Sequence, residues 1–229
     1  MPTSFTNGLL LILLLCGMIT SKAQENLRGF WEPEVEVNYD LGKGYSHNFA
    51  LATRLYTYDD NRLTFRTRQL ELGHFSGFSI RGNQSLALGV MYRWRESFEP
   101  DENNELRVTE QYNITRTYRR YRLGHRFRLE QRIQNPYTVH RMRYRLALDA
   151  PLQGEILNAG ETYLVLNTES LLSLGKSLDP EYEQRLEIIL GWHLEKGLNF
   201  ETGLEYRLDD YTQRAQHLIF INNSLSISF

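Results

Sequence analysis

The sequence has one cysteine, only 4 lysines beside 22 arginines, and no apolar run long enough for a membrane-spanning helix. Its formal net charge of -2 gives no whole-protein attraction to nucleic acid, and no nucleic-acid partner is predicted. With 229 residues, 41% hydrophobic and 24% charged, the composition excludes global disorder and a purely helical membrane bundle. The length suits a single domain.

The first segment has the features of an export signal. Residues 9–16 read LLLILLLC, and Ser21-Lys22-Ala23 then offers the small residues that signal peptidase prefers. We interpret residues 1–23 as a signal peptide cleaved after Ala23; a lipidated Cys16 and a short buried helix are the alternatives. Cleavage removes Cys16, so the mature chain 24–229 has no disulfide and no thiolate. Export without disulfides is compatible with a bacterial envelope.

Apolar and polar residues alternate along the rest of the chain, the pattern of β-strands with two unlike faces. From Leu198 to Leu208, for example, the even-numbered residues are mostly apolar and the odd-numbered ones mostly polar. Eleven such segments are separated by turn residues such as Gly42-Lys43-Gly44 and Asn135-Pro136. Because a closed antiparallel barrel of the bacterial kind has an even number of strands, we expect 10 to 12, with a break near Gly73 to Gly77 as one solution.

The polar face carries Arg and Glu rather than the mixture typical of solvated strands. Arg119 to Arg145 has nine arginines and one acid, whereas Leu146 to Phe229 has five basic and thirteen acidic residues. Opposite charges of this kind neutralise each other across an enclosed lumen. The sequence therefore predicts an all-β fold, a closed antiparallel transmembrane β-barrel with a charged Arg/Glu-lined lumen. A soluble exported β-sandwich that binds a partner is the alternative.

The chain end and the aromatic residues favour a membrane barrel. Leu225, Ile227 and Phe229 alternate with polar residues, and a final aromatic residue resembles the signal read by the barrel insertion machinery of bacterial outer membranes. Aromatic residues, Tyr56 among them, cluster towards segment ends, as interfacial girdles do. The predicted location is the bacterial outer membrane, with its lipid and the insertion machinery as partners.

Several short motifs follow in a recognisable order. Arg128-Leu129-Glu130-Gln131-Arg132 is followed by Arg141-Met142-Arg143-Tyr144-Arg145, then by Asp149-Ala150-Pro151-Leu152, and a later strand bears Asn167 and Glu169. Over nearly all of the mature chain the sequence resembles the domain-of-unknown-function family 2490. The resemblance implies an outer-membrane β-barrel with no established activity, and it carries over no catalytic residue.

Hairpin register gives these motifs a physical interpretation. If Asn135-Pro136 turns the chain so that Gln134 faces Tyr137, then Glu130 faces Arg141, Arg128 faces Arg143, Arg126 faces Arg145 and Arg122 faces Asp149. Two of these pairs are repulsive, so the hairpin needs acids from other strands, with Glu110 as one candidate. The predicted lumenal ion-pair network consists of Arg122, Arg126, Arg128, Glu130, Arg132, Arg141, Arg143, Arg145, Asp149, Glu169, Glu187, Glu201, Glu205 and Arg207.

No motif indicates a cofactor or a metal, and none of either is predicted. We expect a structural or solute-passing barrel without enzymatic activity, whose arginines favour a small anionic solute if an opening remains. His74-Phe75-Ser76 has a spacing that resembles the lipid A deacylase barrels. We interpret it as a polar patch beside Gly73 and Gly77, and a lipid-acting outer-membrane hydrolase as the alternative function.

Overall fold

The computed structural model of the protein describes residues 26–176 and 178–229. The predicted signal peptide, with Cys16 and Ala23, lies outside them. Within the described ranges there is no helix of the length and hydropathy needed to cross a membrane. The eleven strands are β1 (Leu27–Asp40), β2 (Tyr45–Asp59), β3 (Arg62–Arg81), β4 (Gln84–Trp94), β5 (Glu105–Thr117), β6 (Arg122–Ile133), β7 (Thr138–Pro151), β8 (Glu161–Gly175), β9 (Glu181–Glu195), β10 (Leu198–Asp209) and β11 (Gln216–Ser228).

The strands form one closed barrel in which each strand pairs with its neighbours in the sequence, and β11 closes the sheet against β1. The ten pairs between consecutive strands are antiparallel, but β1 and β11 are parallel. The eleven strands fall within the expected range of 10 to 12, but the expectation of a wholly antiparallel barrel is wrong at this seam. With eleven strands the first and the last run in the same direction, so the closing pair has to be parallel. Closure also makes the β-sandwich alternative wrong.

Strand β3 runs through all 20 of its residues without the break expected near its glycines. Gly73 pairs with Ala50 of β2 and with Met91 of β4, and Gly77 pairs with Ser46 and Ala87. The ladder bonds on both sides continue through these positions. The glycines therefore leave space in the lumen without interrupting the strand.

The two faces of the barrel have opposite chemistry. Leu88 and Leu204 on the outer wall are 65% and 53% exposed, whereas Glu105 and Glu169 on the inner wall are 0% and 1% exposed. The prediction of a closed barrel with charged side chains inside is confirmed. The period of two in the sequence produces this division, because successive side chains of a strand point to opposite faces.

A small aromatic cluster fills one part of the lumen near the β2–β3 turn. Phe30, Tyr56 and Phe220 are 1%, 5% and 0% exposed, and the Phe30 ring lies 4.8 Å from Phe220 and 5.1 Å from Tyr56. The guanidinium of Arg207 lies 3.6 Å from the centre of the Phe220 ring, and that of Arg54 lies 5.0 Å from it. The expectation that Tyr56 belongs to an interfacial girdle is wrong, because its side chain packs inside the barrel.

Candidate functional site in the lumen

Glu105 is the centre of the densest ion-pair cluster. Its carboxylate accepts from Arg107 at 2.6 Å, from Arg132 at 2.7 Å and from the Gln134 amide at 2.6 Å, and Arg93 lies 3.4 Å away. The side chain has no exposed surface. Several guanidinium donors around one enclosed carboxylate satisfy its lone pairs in place of water. Sequence reasoning missed this residue, although its position in the inward phase of β5 was a usable signal.

Glu169 and Glu130 bracket Arg143 in a second cluster. Arg143 donates to Glu130 and to Glu169, both at 2.6 Å, through its two terminal nitrogens. Arg145 lies 3.3 Å from the Glu169 carboxylate and Arg185 lies 3.8 Å from it. The planar, forked geometry of the guanidinium lets one arginine join two strands in this way. Glu169 thus supplies one of the acids that the β6–β7 hairpin needs.

The third cluster lies on β9 and β10. Arg185 donates to Glu183 at 2.6 Å, and Arg207 donates to Glu205 at 2.7 Å. Arg141 of the predicted hairpin lies 3.7 Å from Glu183, an acid that sequence reasoning did not select. The three clusters occupy the half of the lumen nearest the β6–β7 turn. We call them together the ion-paired half.

The register of the β6–β7 hairpin is the one that its turn predicts. The backbone N–H of Gln134 donates to the Tyr137 carbonyl. From there the ladder pairs Glu130 with Arg141, Arg128 with Arg143, Arg126 with Arg145 and Arg122 with Asp149. Of these facing residues, Arg122 and Asp149 form a direct ion pair at 2.7 Å. Arg141, Arg143 and Arg145 instead contact acids on other strands, and Arg128 contacts an amide and a ring.

Arg126 and Arg128 differ from the other lumenal arginines named above. Arg128 donates to the Gln111 amide oxygen, and its guanidinium lies 5.4 Å from the centre of the Phe75 ring. Among the described residues, no carboxylate lies within 4.0 Å of Arg126 or Arg128. Both line a lumenal cavity of about 1140 Å³. Their positive charge is therefore available to a solute in that cavity.

The wall opposite β6 carries two acids, Glu34 and Glu36, that have no arginine within ion-pair distance among the described residues. In the ring of eleven strands, β1 is five strands from β6 in one direction and six in the other. Glu34 and Glu36 of β1 line the same cavity as Arg126 and Arg128. We call the part of this cavity that Arg126, Arg128, Glu34 and Glu36 line the chamber half. Its other lining residues are mostly small or neutral and include Ala50, Gly73, Gly77, Ser85, Ala87, Gly203, Ser224 and Ser226.

Three of the predicted acids lie apart from the arginine clusters. Glu187 accepts from the Asn167 amide at 2.9 Å, and Glu201 accepts from the Tyr163 hydroxyl at 2.6 Å. Glu110 was expected to serve the hairpin, but it lies in the outward phase of β5, between Leu88 and Leu129 on the neighbouring strands. That expectation is wrong because residues 105, 107, 109, 111 and 113 supply the inner face of this strand.

The C-terminal residues lie on the outer wall. Leu225 and Ile227 pair with Phe200 and Leu198 of β10. Phe229 follows β11, is 72% exposed and has its ring 5.3 Å from that of Tyr39. These three side chains therefore form part of the apolar outer surface, at the end of the barrel where the β1–β2 turn lies.

His74 and Ser76 also face outward. Each belongs to the even-numbered phase of β3, whereas Glu71 and Phe75 of the odd-numbered phase line the lumenal cavity. They are thus separate from the lumenal charges.

Comparison with known proteins adds a family and no activity. No curated protein matches the chain, and no solved structure does. A family model described as protein of unknown function (DUF2490) matches residues 29–217, from β1 to the start of β11. The chain belongs to this family.

Proposed function

We propose that the protein is an integral β-barrel of a bacterial outer membrane, exported by residues 1–23 and surrounded by lipid. The exposed apolar outer wall supports this location, because water does not favour large exposed Leu, Ile and Phe side chains at such density. Strands of 11 to 20 residues are long enough to cross a bilayer at a tilt. Leu225, Ile227 and Phe229 provide the terminal pattern that the insertion machinery would bind.

Within this location, the protein acts as a narrow barrel that admits small anionic solutes to its lumen. The observation that carries this function is the pair Arg126 and Arg128, which line the cavity without a carboxylate partner among the described residues. The ion-paired half narrows the path, since the Glu105, Glu130 and Glu169 side chains are 0 to 2% exposed. Conductance should therefore be small compared with that of a wide porin.

Planar-bilayer recording tests this function. We expect low-conductance channels that pass chloride in preference to potassium under a salt gradient. The double variant Arg126→Gln with Arg128→Gln should shift the reversal potential towards cation preference, because it removes the charge not neutralised by a carboxylate. The matched variant Glu34→Gln with Glu36→Gln should shift it in the opposite direction. An unchanged reversal potential in both variants would overturn the solute role, and release of the protein by alkaline carbonate would overturn the membrane location.

A further inference from the structure

A polar cluster interrupts the apolar outer wall at the start of β2. In the β2–β3 ladder, His47 faces Ser76 and Phe49 faces His74. His47 Nδ1 lies 2.9 Å from His74 Nε2 and 3.3 Å from Ser76 Oγ, and the Tyr45 hydroxyl lies 3.5 Å from the same Oγ. Two hydroxyl groups and two imidazole rings therefore meet on the outer surface.

An apolar groove of about 1260 Å³ begins at this cluster and crosses the outer wall. It follows one row of cross-strand partners, in which Ser76 pairs with Leu88, Leu88 with Glu110, Glu110 with Leu129, Leu129 with Met142, and Met142 with Leu172. The four strand steps from Ser76 to Met142 span ~19 Å. Half of a hydrocarbon core is about 15 Å thick, so the groove has the length of a lipid acyl chain.

The depth of the cluster matches the position of a lipid ester. Tyr45 is the first residue of β2, directly after the Gly42-Lys43-Gly44 turn, and His47 is the third. Ester bonds of membrane lipids lie between the polar heads and the hydrocarbon, at the level where a barrel strand leaves the core. The groove then continues from Ser76 towards the middle of the wall, where Leu129 and Met142 lie.

We propose that this cluster hydrolyses an ester of an acyl lipid, with Ser76 as nucleophile and His47 as general base. This activity is separate from the lumenal function. The acyl chain lies in the groove against Leu88, Leu129 and Met142.

The reaction proceeds in two balanced steps. Ser76 Oγ bonds to the ester carbonyl carbon while its proton passes to His47 Nδ1, and the bond from that carbon to the alkoxy oxygen breaks. The leaving alkoxide takes the proton from His47. Water then attacks the acyl-serine, gives its proton to His47, and Ser76 recovers that proton as the free fatty acid leaves.

His74 and Tyr45 assist these steps. His74 Nε2 lies 2.9 Å from His47 Nδ1, so His74 is a positioning residue that orients the His47 ring beside Ser76. The His74 ring also stacks on that of His47, with 5.1 Å between their centres. The Tyr45 hydroxyl provides a donor for the oxyanion that develops on the carbonyl oxygen.

Fluorophosphonate labelling and fatty-acid release from phosphatidylethanolamine in mixed micelles test the proposal on the purified folded barrel. Ser76→Ala should abolish labelling, and His47→Gln should lower fatty-acid release by at least about 100-fold. Ser46→Ala, a neighbouring serine on the lumenal face, should change neither. Heat-modifiable migration on gels establishes that each variant is folded.

A variant in the groove distinguishes loss of acyl-chain binding from damage to the Ser76 cluster, because only the first depends on chain length. Met142→Trp fills the groove away from Ser76, so it should lower release of long-chain acids and spare that of butyryl esters. Labelling that persists in Ser76→Ala, absence of hydrolysis by the wild-type barrel, or loss of hydrolysis on addition of EDTA would each overturn the proposal.

Discussion

The two halves of the lumen hold their arginines in different ways. In the ion-paired half, Arg143 lies between two carboxylates, each 2.6 Å away. In the chamber half, Arg128 is held by an amide and an aromatic ring, and Arg126 by no carboxylate of the described residues. Arginine side chains are thus neutralised by carboxylates in the ion-paired half, whereas in the chamber half they are available to solutes.

This contrast indicates which charges the fold requires. An enclosed carboxylate surrounded by guanidinium groups leaves several buried cations when it is removed, and that loss is costly. A guanidinium that has no carboxylate partner among the described residues, such as that of Arg126, leaves no buried anion behind when it is removed. Stability should therefore depend on the ion-paired half, and ion selectivity on the chamber half.

The largest expected effect is that of Glu105→Gln. Arg93, Arg107 and Arg132 would lose their shared carboxylate, and the free energy of unfolding should fall by about 3 to 5 kcal/mol. Urea unfolding of the barrel in lipid, followed by tryptophan fluorescence, measures it. Glu102→Gln is the control, because that side chain is 43% exposed and should cost less than about 1 kcal/mol. Equal losses in the two variants would contradict the distinction between buried and exposed pairs.

A smaller effect is expected for Gly191→Ala in the chamber half. The Tyr163 ring lies directly over Gly191, so an added Cβ would overlap it and displace the hydroxyl that donates to Glu201. The free energy of unfolding should fall by about 1 to 3 kcal/mol in the same assay. No atom lies within 4 Å of a Cβ built at Gly82, so Gly82→Ala should have no comparable effect. Equal free energies of unfolding for Gly191→Ala and Gly82→Ala would show that packing of the Tyr163 ring does not stabilise the chamber half.

Arg128→Gln should have the smallest effect on stability. It removes one hydrogen bond to Gln111 and the contact with the Phe75 ring, worth about 1 kcal/mol together. Arg143→Gln, the matched change in the ion-paired half, removes the 2.6 Å contacts of both Glu130 and Glu169 and should cost several times more. Similar unfolding midpoints for the two variants would show that the halves do not differ in this respect.

Much of the architecture could be predicted because alternation and turns are local signals. The inward phase of β10 follows from its residues alone, and the Asn135-Pro136 turn sets the β6–β7 ladder in register. The closing pair of β1 with β11 was not predictable in this way, since no turn joins these strands. Nor does a local signal say that Glu105 would bind both Arg93 of β4 and Arg132 of β6, the strands on either side of β5.

The cluster of His47, His74 and Ser76 could not be predicted from the sequence because the β2–β3 ladder is irregular. Counted from the β2–β3 turn, where Asp59 faces Arg62, His47 would face His74. Register shifts between Arg54 and Tyr58 move the ladder, so that His47 instead faces Ser76. Bulges of this kind add residues to one strand without a clear sequence signal. The spacing of His74 and Ser76 was visible in the sequence, but their partner on β2 was not.

The central claim is that the apolar face of each strand contacts lipid and the charged face lines the lumen. The accessibility of spin labels to oxygen along β10 is its sharpest test. Single cysteines introduced one at a time from Leu198 to Leu208 of the mature chain would be spin-labelled in reconstituted vesicles. Collision with oxygen, which concentrates in hydrocarbon, should peak at the even-numbered positions such as Leu204 and fall at odd-numbered ones such as Glu205. Peaks at the odd-numbered positions, or no alternation at all, would contradict the account.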